Sequence, residues 1–487
     1  MHKVLEQILD SIPAIKKPAT PLTLKEKLRW TAIIMGIYFI LFSTPAVGTN
    51  SAVLNQPSIQ LISIIFAARI GSLITVGIGP IVLAGIIIQM LDGSGIIKID
   101  KNDMKQKSEF QAIQKFAAIV IAVVESYIFT ATGYVPIISN SAFMLVAVQL
   151  AAGAICVIYL DEAMTKYGIT SGLNLFIAGG VAYSIVGGTI QIIIPEAVSA
   201  ISGGGASAIP NAMLAFGPLL FSLLVFMVCI YAYDVKVELP LVFSQFRGVG
   251  GRLPIPLLYT SVLPVILATS FEFSLQVWLR FLAGVTGSFA GLAKFIALYQ
   301  PVGSGAQSTL TLVGGLLYLI SPQFQLPYAA PYGIGGYTAY TQYLSTHSTQ
   351  LYLPTGGLVM VPEWIHIVVY VVSMVALCIV FGIFWIDMTG QSPKHVAEQL
   401  QDVGWQIPGF RRDPRIVESV LNKYIPTIAV LGSAFVGLLA ALATLTGAIG
   451  TGVGILLEVG IMYMVYQQLE NENLLGSYPQ LDKMLSG

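Results

Sequence analysis

Two carboxylates stand far from other charges in long apolar stretches of this 487-residue chain. Glu125 lies in the stretch 116–133 and Glu458 in the stretch 452–468, while Arg69 begins a third stretch. An ionisable side chain at the centre of a bilayer is energetically costly, so it usually belongs to an ion or substrate pathway. A transporter more typically clusters such residues at mid-depth, so an ion-coupled secondary transporter of a small solute is the alternative that a pairing of Glu125 with Glu458 leaves open.

Recognisable catalytic motifs are missing from the sequence. It contains no Walker loop, dinucleotide fingerprint, zinc-binding helix or nucleophile elbow, and its four histidines are scattered. The glycine-rich run Gly203–Ser207 follows an apolar stretch and predicts a flexible linker. We therefore expect that the chain is not an enzyme, binds no metal or cofactor, and has no DNA partner.

The composition is that of a membrane protein. Hydrophobic residues make up 55% of the chain and charged residues only 10%, against about 25% charged residues in soluble domains. A water-soluble fold cannot bury so much apolar surface. The sequence therefore predicts a multi-pass membrane protein.

Ten apolar runs are long enough to cross a hydrocarbon core of about 30 Å as helices. They lie near residues 30–44, 69–91, 116–133, 142–160, 172–194, 213–233, 254–275, 361–386, 424–446 and 452–468. Two further apolar stretches, Phe281–Leu298 and Leu310–Ile320, leave twelve spans as the alternative. We interpret 276–360 as an external, partly re-entrant lobe, because lysine, proline and many glycines interrupt its apolar stretches.

Basic residues set the predicted orientation. Nearly all of the 24 lysines and arginines fall in alternate loops and in the two terminal segments. Because basic loops remain on the cytoplasmic side, both termini are expected there. Residues 1–29 are then an amphipathic cytoplasmic segment and residues 469–487 a cytoplasmic tail, in a protein of the cytoplasmic membrane.

Five segments spread over nearly the whole chain carry a family resemblance. They are Ser72–Leu91, Leu160–Ile177, Leu263–Leu267, Phe381–Asp387 with Gly409–Arg412, and Gly450–Gly454 with the apolar run that follows. In this order they resemble the SecY family, the central pore-forming subunits of the Sec protein translocase. The segment Lys25–Trp30 resembles archaeal and eukaryotic members more than bacterial ones.

The resemblance implies a fold and a function. The fold is an all-α membrane protein with ten transmembrane helices, in two inverted five-helix halves around an hourglass pore, with a plug helix. The halves are residues 30–200 and 201–468. The function is a protein-conducting channel that translocates unfolded secretory polypeptides and releases signal and transmembrane segments sideways into lipid. The alternatives are the transporter described above and a structural scaffold without a pore.

The family's pore constriction corresponds to six aliphatic residues of this chain. They are Ile78, Val82, Leu173, Ile177, Ile266 and Leu457. Bulky aliphatic side chains cannot solvate ions, so a narrow ring of them tends to dewet and close a pore. Residues 78 and 82, like 173 and 177, are one helical turn apart and share a helix face. Ordinary packing of a membrane helix is the alternative explanation of that spacing.

The resemblance also implies a plug and a lateral gate. The plug corresponds to residues 57–66, a semi-polar segment too short to span, with Pro57, Gln60, Ser63 and Phe66 as its marker residues. The lateral gate corresponds to Leu83, Gln89, Glu125 and Val262. Leu83 and Val262 are apolar where the family often has polar side chains, so we expect packing more than hydrogen bonding to hold the gate shut.

Partners follow from the same resemblance. Arg247, Arg252, Arg411 and Arg412 lie in two predicted cytoplasmic loops that the family uses to dock ribosomes. Exposed guanidinium groups suit the phosphates of ribosomal RNA, although basic loops are also expected on this side for orientation alone. The other implied partners are a SecE-like gamma subunit, a small beta subunit, nascent chains that carry signal sequences, and membrane lipids.

Overall fold

The structure is a computed structural model in which part of the chain is described. The described residues are 13, 15–18, 20, 22–49, 69–93, 104–133, 135–203, 208–243, 250–260, 262–280, 289–302, 309–322, 336–353, 357–388, 391–402, 405–406, 414–450 and 452–477.

Helices dominate the described residues, and two small sheets accompany them. The helices are α1 Leu24–Ser43, α2 Gly79–Gly93, α3 Met104–Ala131, α4 Phe143–Tyr167, α5 Gly172–Ser202, α6 Ala208–Asp234, α7 Leu263–Leu279, α8 Ala290–Ile296, α9 Leu316–Ile320, α10 Tyr337–Thr346, α11 Glu363–Met388, α12 Pro393–Asp402, α13 Pro414–Leu445 and α14 Gly452–Ser477. The strands are β1 Lys236–Phe243, β2 Gly250–Pro256, β3 Leu298–Val302, β4 Thr309–Gly314, β5 Ser348–Tyr352, β6 Leu358–Pro362 and β7 Trp405–Gln406.

Each predicted span contains a helix. These are α1 to α7, α11, α13 and α14. Among the described residues, six helices are long and apolar enough to cross a bilayer by length and composition. They are α3 from Glu109, α4, α5, α6, α11 and α13. The chain is therefore a multi-pass membrane protein.

Two helices begin later than the sequence predicts. The second span was expected from residue 69, but α2 begins at Gly79. Gly71 and Gly77 have φ values of +86° and +58°, which interrupt a right-handed helix, and the Thr75 hydroxyl donates to the Ser72 carbonyl at 2.6 Å. The resulting turns occupy residues 70–78, and Pro80 fits the first turn of α2 because it needs no amide partner there.

The seventh span was expected from residue 254, but β2 extends to Pro256 and turns follow it. Helix α7 begins at Leu263, with Pro264 in its first turn. Both predictions failed because hydropathy measures how apolar a segment is and carries little information about where its backbone becomes helical.

The ten long helices form two groups with the same packing pattern. In the first group α1 packs on α4 and α5, α2 on α3, and α3 on α4. In the second group α6 packs on α13 and α14, α7 on α11, and α11 on α13. The second pattern repeats the first with every helix replaced by the one five spans later. This repeated pattern is consistent with two groups of five spans that are inverted relative to each other, because an odd number of spans reverses the direction of the chain in the membrane.

The groups meet along two separate seams. One seam is α5 against α14 and the turn before it, where Gly188 lies against Ile449 and Ile185 against Gly450. Glycine permits this close approach, because a Cβ on either glycine would lie within 3.0 Å of the facing isoleucine. At the other seam, α2 packs on both α7 and α11, and α3 packs on α7.

The region 276–360 contains a small mixed sheet with the strand order β3-β4-β5-β6. Strands β3 and β4 are antiparallel, β4 and β5 parallel, and β5 and β6 antiparallel. The described helices within this region, α8, α9 and α10, have 7, 5 and 10 residues. Helices of this length cannot span a bilayer, so the described part of the region favours ten spans over twelve.

A second sheet joins two predicted cytoplasmic loops. Strands β1 and β2 form an antiparallel hairpin, and β7 pairs with the far end of β1 through Val242 opposite Gln406 and Phe243 opposite Trp405. The loop 244–249 follows β1 directly, and the segment 407–413 follows β7. The segments that carry the two groups of basic residues therefore follow neighbouring, antiparallel strands of one sheet.

Glu162 anchors the amino-terminal segment to the ends of α3 and α4. Its carboxylate accepts hydrogen bonds from Lys115 Nζ at 2.6 Å, from Lys166 Nζ at 2.6 Å and from the Ile15 amide at 3.1 Å. Lys115 also donates to the Pro13 carbonyl at 2.7 Å. Charge-assisted bonds of this kind are stronger than neutral ones, so this segment is tied to two helices at once.

Candidate pore and lateral gate

The six proposed constriction residues all lie at or near the beginning of a helix. Ile78 directly precedes α2 and Val82 is in its first turn. Leu173 and Ile177 belong to the first two turns of α5, and Ile266 to the first turn of α7. Leu457 lies in the second turn of α14. Two of these helices belong to each group, so both groups supply residues to the proposed constriction.

Local hydrogen bonds fix the positions of these helix starts. The carbonyl of Ile78 accepts from the amides of Ile81 at 3.0 Å and Val82 at 3.1 Å, which starts α2 at this residue. On α5, Ser171 caps the helix by accepting from the Asn174 amide at 3.4 Å. Asp161 of α4 accepts from the Leu173 amide at 2.7 Å, so α4 sets the height at which α5 begins.

The six side chains come together in one apolar cluster. Ile78, Ile177 and Leu457 are at most 1% exposed, and Val82 and Ile266 are also buried. All five belong to the same core cluster, and the partly buried Leu173 packs against it. The same cluster also contains aromatic side chains such as Tyr38 and Phe176, and it joins α2 and α5 of one group to α7 and α14 of the other.

Such a collar can form a seal without any specific ligand. Aliphatic groups offer water and ions no hydrogen-bond partner, so a narrow passage between them tends to be dry and impermeable. Apolar contacts are also non-directional. A collar of this kind can therefore adapt to a polypeptide of any sequence and close again after it has passed.

The predicted gate residues lie in different surroundings. Leu83 is a buried residue of α2, the helix that packs on α7, and the Gln89 side chain lies outside the described part of the chain. Val262 is buried at the start of α7, where a Cβ added to Gly460 of α14 would lie 3.2 Å from its Cγ2. Val262 therefore faces α14 as well as the apolar collar.

The contact between α3 and α7 comes from aromatic residues. The rings of Phe129 and Phe273 have centroids 5.9 Å apart and are tilted by 49°, an arrangement that is favourable beyond its buried area. Both rings are buried. Glu125, one turn before Phe129 on α3, is buried as well, with 7% of its surface exposed. Sequence reasoning missed the Phe129–Phe273 contact, because the two rings are neighbours only in the folded chain.

Glu125 and Glu458 do not form the pair that a transporter would need. Helix α3, which carries Glu125, packs on α2, α4 and α7, whereas α14, which carries Glu458, packs on α5, α6 and α13. The two carboxylates therefore belong to different parts of the structure.

Sequence reasoning also missed other buried ionisable residues. Glu272 of α7 is 2% exposed, and its Oε1 has no hydrogen-bond partner among the described residues. Glu363 and His366, at the start of α11, are both fully buried. All three lie inside or within a few residues of predicted spans. The expectation that an ionisable residue within a span has a function, which pointed to Glu125 and Glu458, therefore applies to these three residues as well.

The structure describes only some of the remaining predicted site residues. The plug segment 57–66 lies outside the described residues, as do Arg247, Arg411 and Arg412. Arg252 on β2 is exposed, and its Nη1 donates to Glu238 Oε2 of β1 at 2.6 Å. This hydrogen bond lowers the pKa of Glu238 below its usual range.

A scan against family models assigns the chain to a family. A model described as SecY matches residues 72–466. The chain belongs to the SecY family. Its relatives include the "Protein translocase subunit SecY" of Methanocaldococcus jannaschii, which is 36% identical over 99% of this chain and 100% of the relative.

Solved structures of SecY relatives share the fold. The structure described as "The structure of a protein conducting channel" has a TM-score of 0.74 and 34% identity, and covers 97% of this chain and 98% of its own. Sec61 in the canine ribosome–channel complex from the endoplasmic reticulum has a TM-score of 0.72 and 33% identity, and covers 97% of both chains. The predicted SecY-type fold is therefore confirmed, and the comparisons do not support a transporter.

Proposed function

We propose that this chain is the pore-forming subunit of a protein translocase, through which unfolded secretory polypeptides cross the cytoplasmic membrane. One observation carries the proposal: both helix groups contribute aliphatic residues at helix starts to one buried apolar cluster, and we take these residues to be the collar of the pore. An ion-coupled transporter would instead gather polar groups at mid-depth. The chain itself catalyses no reaction in this proposal, and a partner supplies the driving force.

The seam between α2 and α7 is the proposed lateral exit for apolar segments. The other seam, between α5 and the segment that leads into α14, is closely packed through two glycines that face isoleucines. The apolar core of a signal peptide has roughly 7–15 residues. On leaving water it gains about 0.8 kcal/mol per buried methylene, so partitioning into lipid at this seam needs no other energy source. Leu83, Gln89, Glu125 and Val262 remain the proposed gate residues.

Residues 57–66 are the proposed plug. The segment directly precedes residues 69–78, whose turns lead into the collar at Ile78. The proposal rests on this connection and on the family resemblance.

The first test is site-specific photocrosslinking. A ribosome-stalled secretory chain is presented to membranes in which a photoreactive residue replaces Val82, Ile266 or the outward-facing Val148 of α4, which is 63% exposed. We expect adducts with the stalled chain at positions 82 and 266, since both lie in the collar, and none at 148. Equal labelling at all three positions, or none at 82 and 266 with the ribosome bound, would refute the proposed channel.

The sheet that connects the two basic loops is the proposed ribosome-docking platform. Pairing of β1 with β7 places side by side the two strands that lead into the loops carrying Arg247 and Arg411–Arg412. Arg252 lies on β2 of the same sheet, although its ion pair with Glu238 leaves less of its charge available. With these basic loops on the cytoplasmic side, both termini are cytoplasmic as well in the proposed orientation. A SecE-like subunit and a small beta subunit complete the proposed assembly.

Reversing the charge of Arg411 is expected to weaken ribosome binding. The change Arg411→Glu removes one phosphate contact and adds repulsion, so affinity should fall about tenfold and the salt dependence should become shallower. Co-sedimentation of ribosomes with the reconstituted complex at several salt concentrations measures both effects. Lys294→Glu, on the exposed side of α8 in the external lobe, is the matched control and should bind normally. Equal losses for both variants would contradict a local docking role.

A further inference from the structure

A buried acid–base pair lies at the start of α11, where this helix joins the external lobe. His366 Nδ1 is 2.8 Å from Glu363 Oε1, and the two residues are one turn apart. Neither residue has any exposed surface. A buried charge without a partner is strongly unfavourable, so the arrangement of protons in this pair matters.

The neighbours of the pair define its protonation. His366 Nε2 is 3.0 Å from the carbonyl oxygen of Ser321, which can only accept, so Nε2 carries a proton. The proton between Nδ1 and Glu363 then belongs either to an imidazolium facing a carboxylate or to a carboxylic acid facing a neutral ring. In both cases the pair as a whole has no net charge, which makes its burial affordable.

The pair is one link in a chain of hydrogen bonds that crosses the lobe. Glu363 Oε2 accepts from the Thr349 hydroxyl of β5 at 3.1 Å. Ser321, whose carbonyl faces His366, also accepts through Oγ from Gln276 Nε2 of α7 at 2.9 Å. The end of α7 is thereby connected through Ser321 to the beginning of α11.

A second contact holds the same end of α7. The Tyr299 hydroxyl of β3 donates to the Gln276 carbonyl at 2.6 Å. The ring of Tyr318 on α9 lies on His366, with centroids 4.5 Å apart. Tyr299 thus contacts α7 and Tyr318 contacts α11, so the lobe links these two helices.

This connection bears on the lateral exit, because α2 packs on both α7 and α11. If α7 moves alone, only the contacts of α2 and α3 with α7 must break. If α7 and α11 move together, the contacts of α2 with α11 must break as well. The second movement costs more, so a signal segment needs a more apolar core to drive it.

We propose that the Glu363–His366 pair is a latch that couples α7 to α11 through Ser321 and Gln276, and so sets how apolar a signal segment must be to open the channel. His366 is a positioning residue in this mechanism, since it acts on α7 through Ser321. The inference rests on the proposed channel function and adds a role for the external lobe.

The test uses the complete reconstituted translocase and secretory substrates whose signal cores contain increasing numbers of leucines. Two variants break the connection: Gln276→Leu removes the bond from α7, and His366→Asn removes the donor to Ser321 while an amide still reaches Glu363. Glu363→Gln is the conservative control, because its amide can donate to Nδ1 and its oxygen can accept from Thr349. Gln342→Leu, an exposed glutamine of α10, is the matched control for Gln276→Leu.

Both breaking variants should export the least apolar signal up to about tenfold better than wild type, as expected from losing one intramolecular hydrogen bond. Both controls should keep the wild-type threshold. Unchanged thresholds in Gln276→Leu would overturn the latch even if His366→Asn fails to fold. Crosslinking of a stalled chain at Val82 separates the two proposals, because it tests the channel independently of the threshold.

Discussion

The double substitution Ile78→Ser and Ile266→Ser is expected to make the resting channel leak ions. It places hydroxyl groups from both helix groups in a collar that is otherwise aliphatic, where Ile78 is 1% exposed. Water that enters beside the hydroxyls removes the dry barrier. Since each 1.4 kcal/mol of barrier is a factor of about ten in rate, we expect the resting conductance to rise at least about tenfold.

Planar bilayers that contain the purified complex provide the measurement. The control is Val372→Ser together with Val148→Ser, which makes the same change in side chain on outward-facing positions of α11 and α4 that are 61% and 63% exposed. A resting conductance of the collar variant no higher than that of this control would show that the six-residue cluster is not the seal.

Gly153→Ala is expected to destabilise the folded protein far more than its single added methyl suggests. Gly153 of α4 lies directly against the Leu73 backbone, and an added Cβ would overlap the carbonyl oxygen and approach the carbonyl carbon to 2.6 Å. Backbone cannot move aside as a flexible side chain does. Overpacking of this kind costs about 1–3 kcal/mol or more, and the displaced segment 69–78 leads directly into the collar.

Thermal unfolding in detergent, followed by the loss of monodisperse protein, gives the shift. The matched control is Gly36→Ala on α1, where an added Cβ has no neighbour within 4 Å. The control should be neutral or slightly stabilising because alanine favours helix. Equal midpoints for the two variants would mean that α4 and the segment 69–78 are not in contact.

Each apolar run that hydropathy identifies contains a helix, because a chain that crosses a bilayer needs a long apolar segment in helical form. The same measure could not locate the beginning of α2, which depends on the positive φ angles of Gly71 and Gly77 and on the hydroxyl of Thr75. These are properties of single residues, and a hydropathy average over the length of a whole span does not detect them. Their consequence is large, since they place Ile78 at the collar instead of inside a longer helix.

Side-chain partners were less predictable than helices. Glu363 and His366 are one turn apart and could have been paired from the sequence alone, but Ser321 and Thr349 reach them only through the folded lobe. The lobe's strand order has the same origin: β4 and β5 are parallel neighbours separated by α9 and α10. Long-range pairings of this kind leave no periodic signal in the sequence.

The pairing of β7 with β1 can form only late in the synthesis of the chain, because the two strands are far apart in the sequence. Translation delivers β1 and β2 long before β7, and the region 276–360 and α11 are synthesised between them. The sheet that connects the two basic loops is therefore complete only after eight of the ten long helices have been made. A newly inserting copy acquires its proposed docking platform late, so ribosomes are recruited mainly by copies that are close to finished.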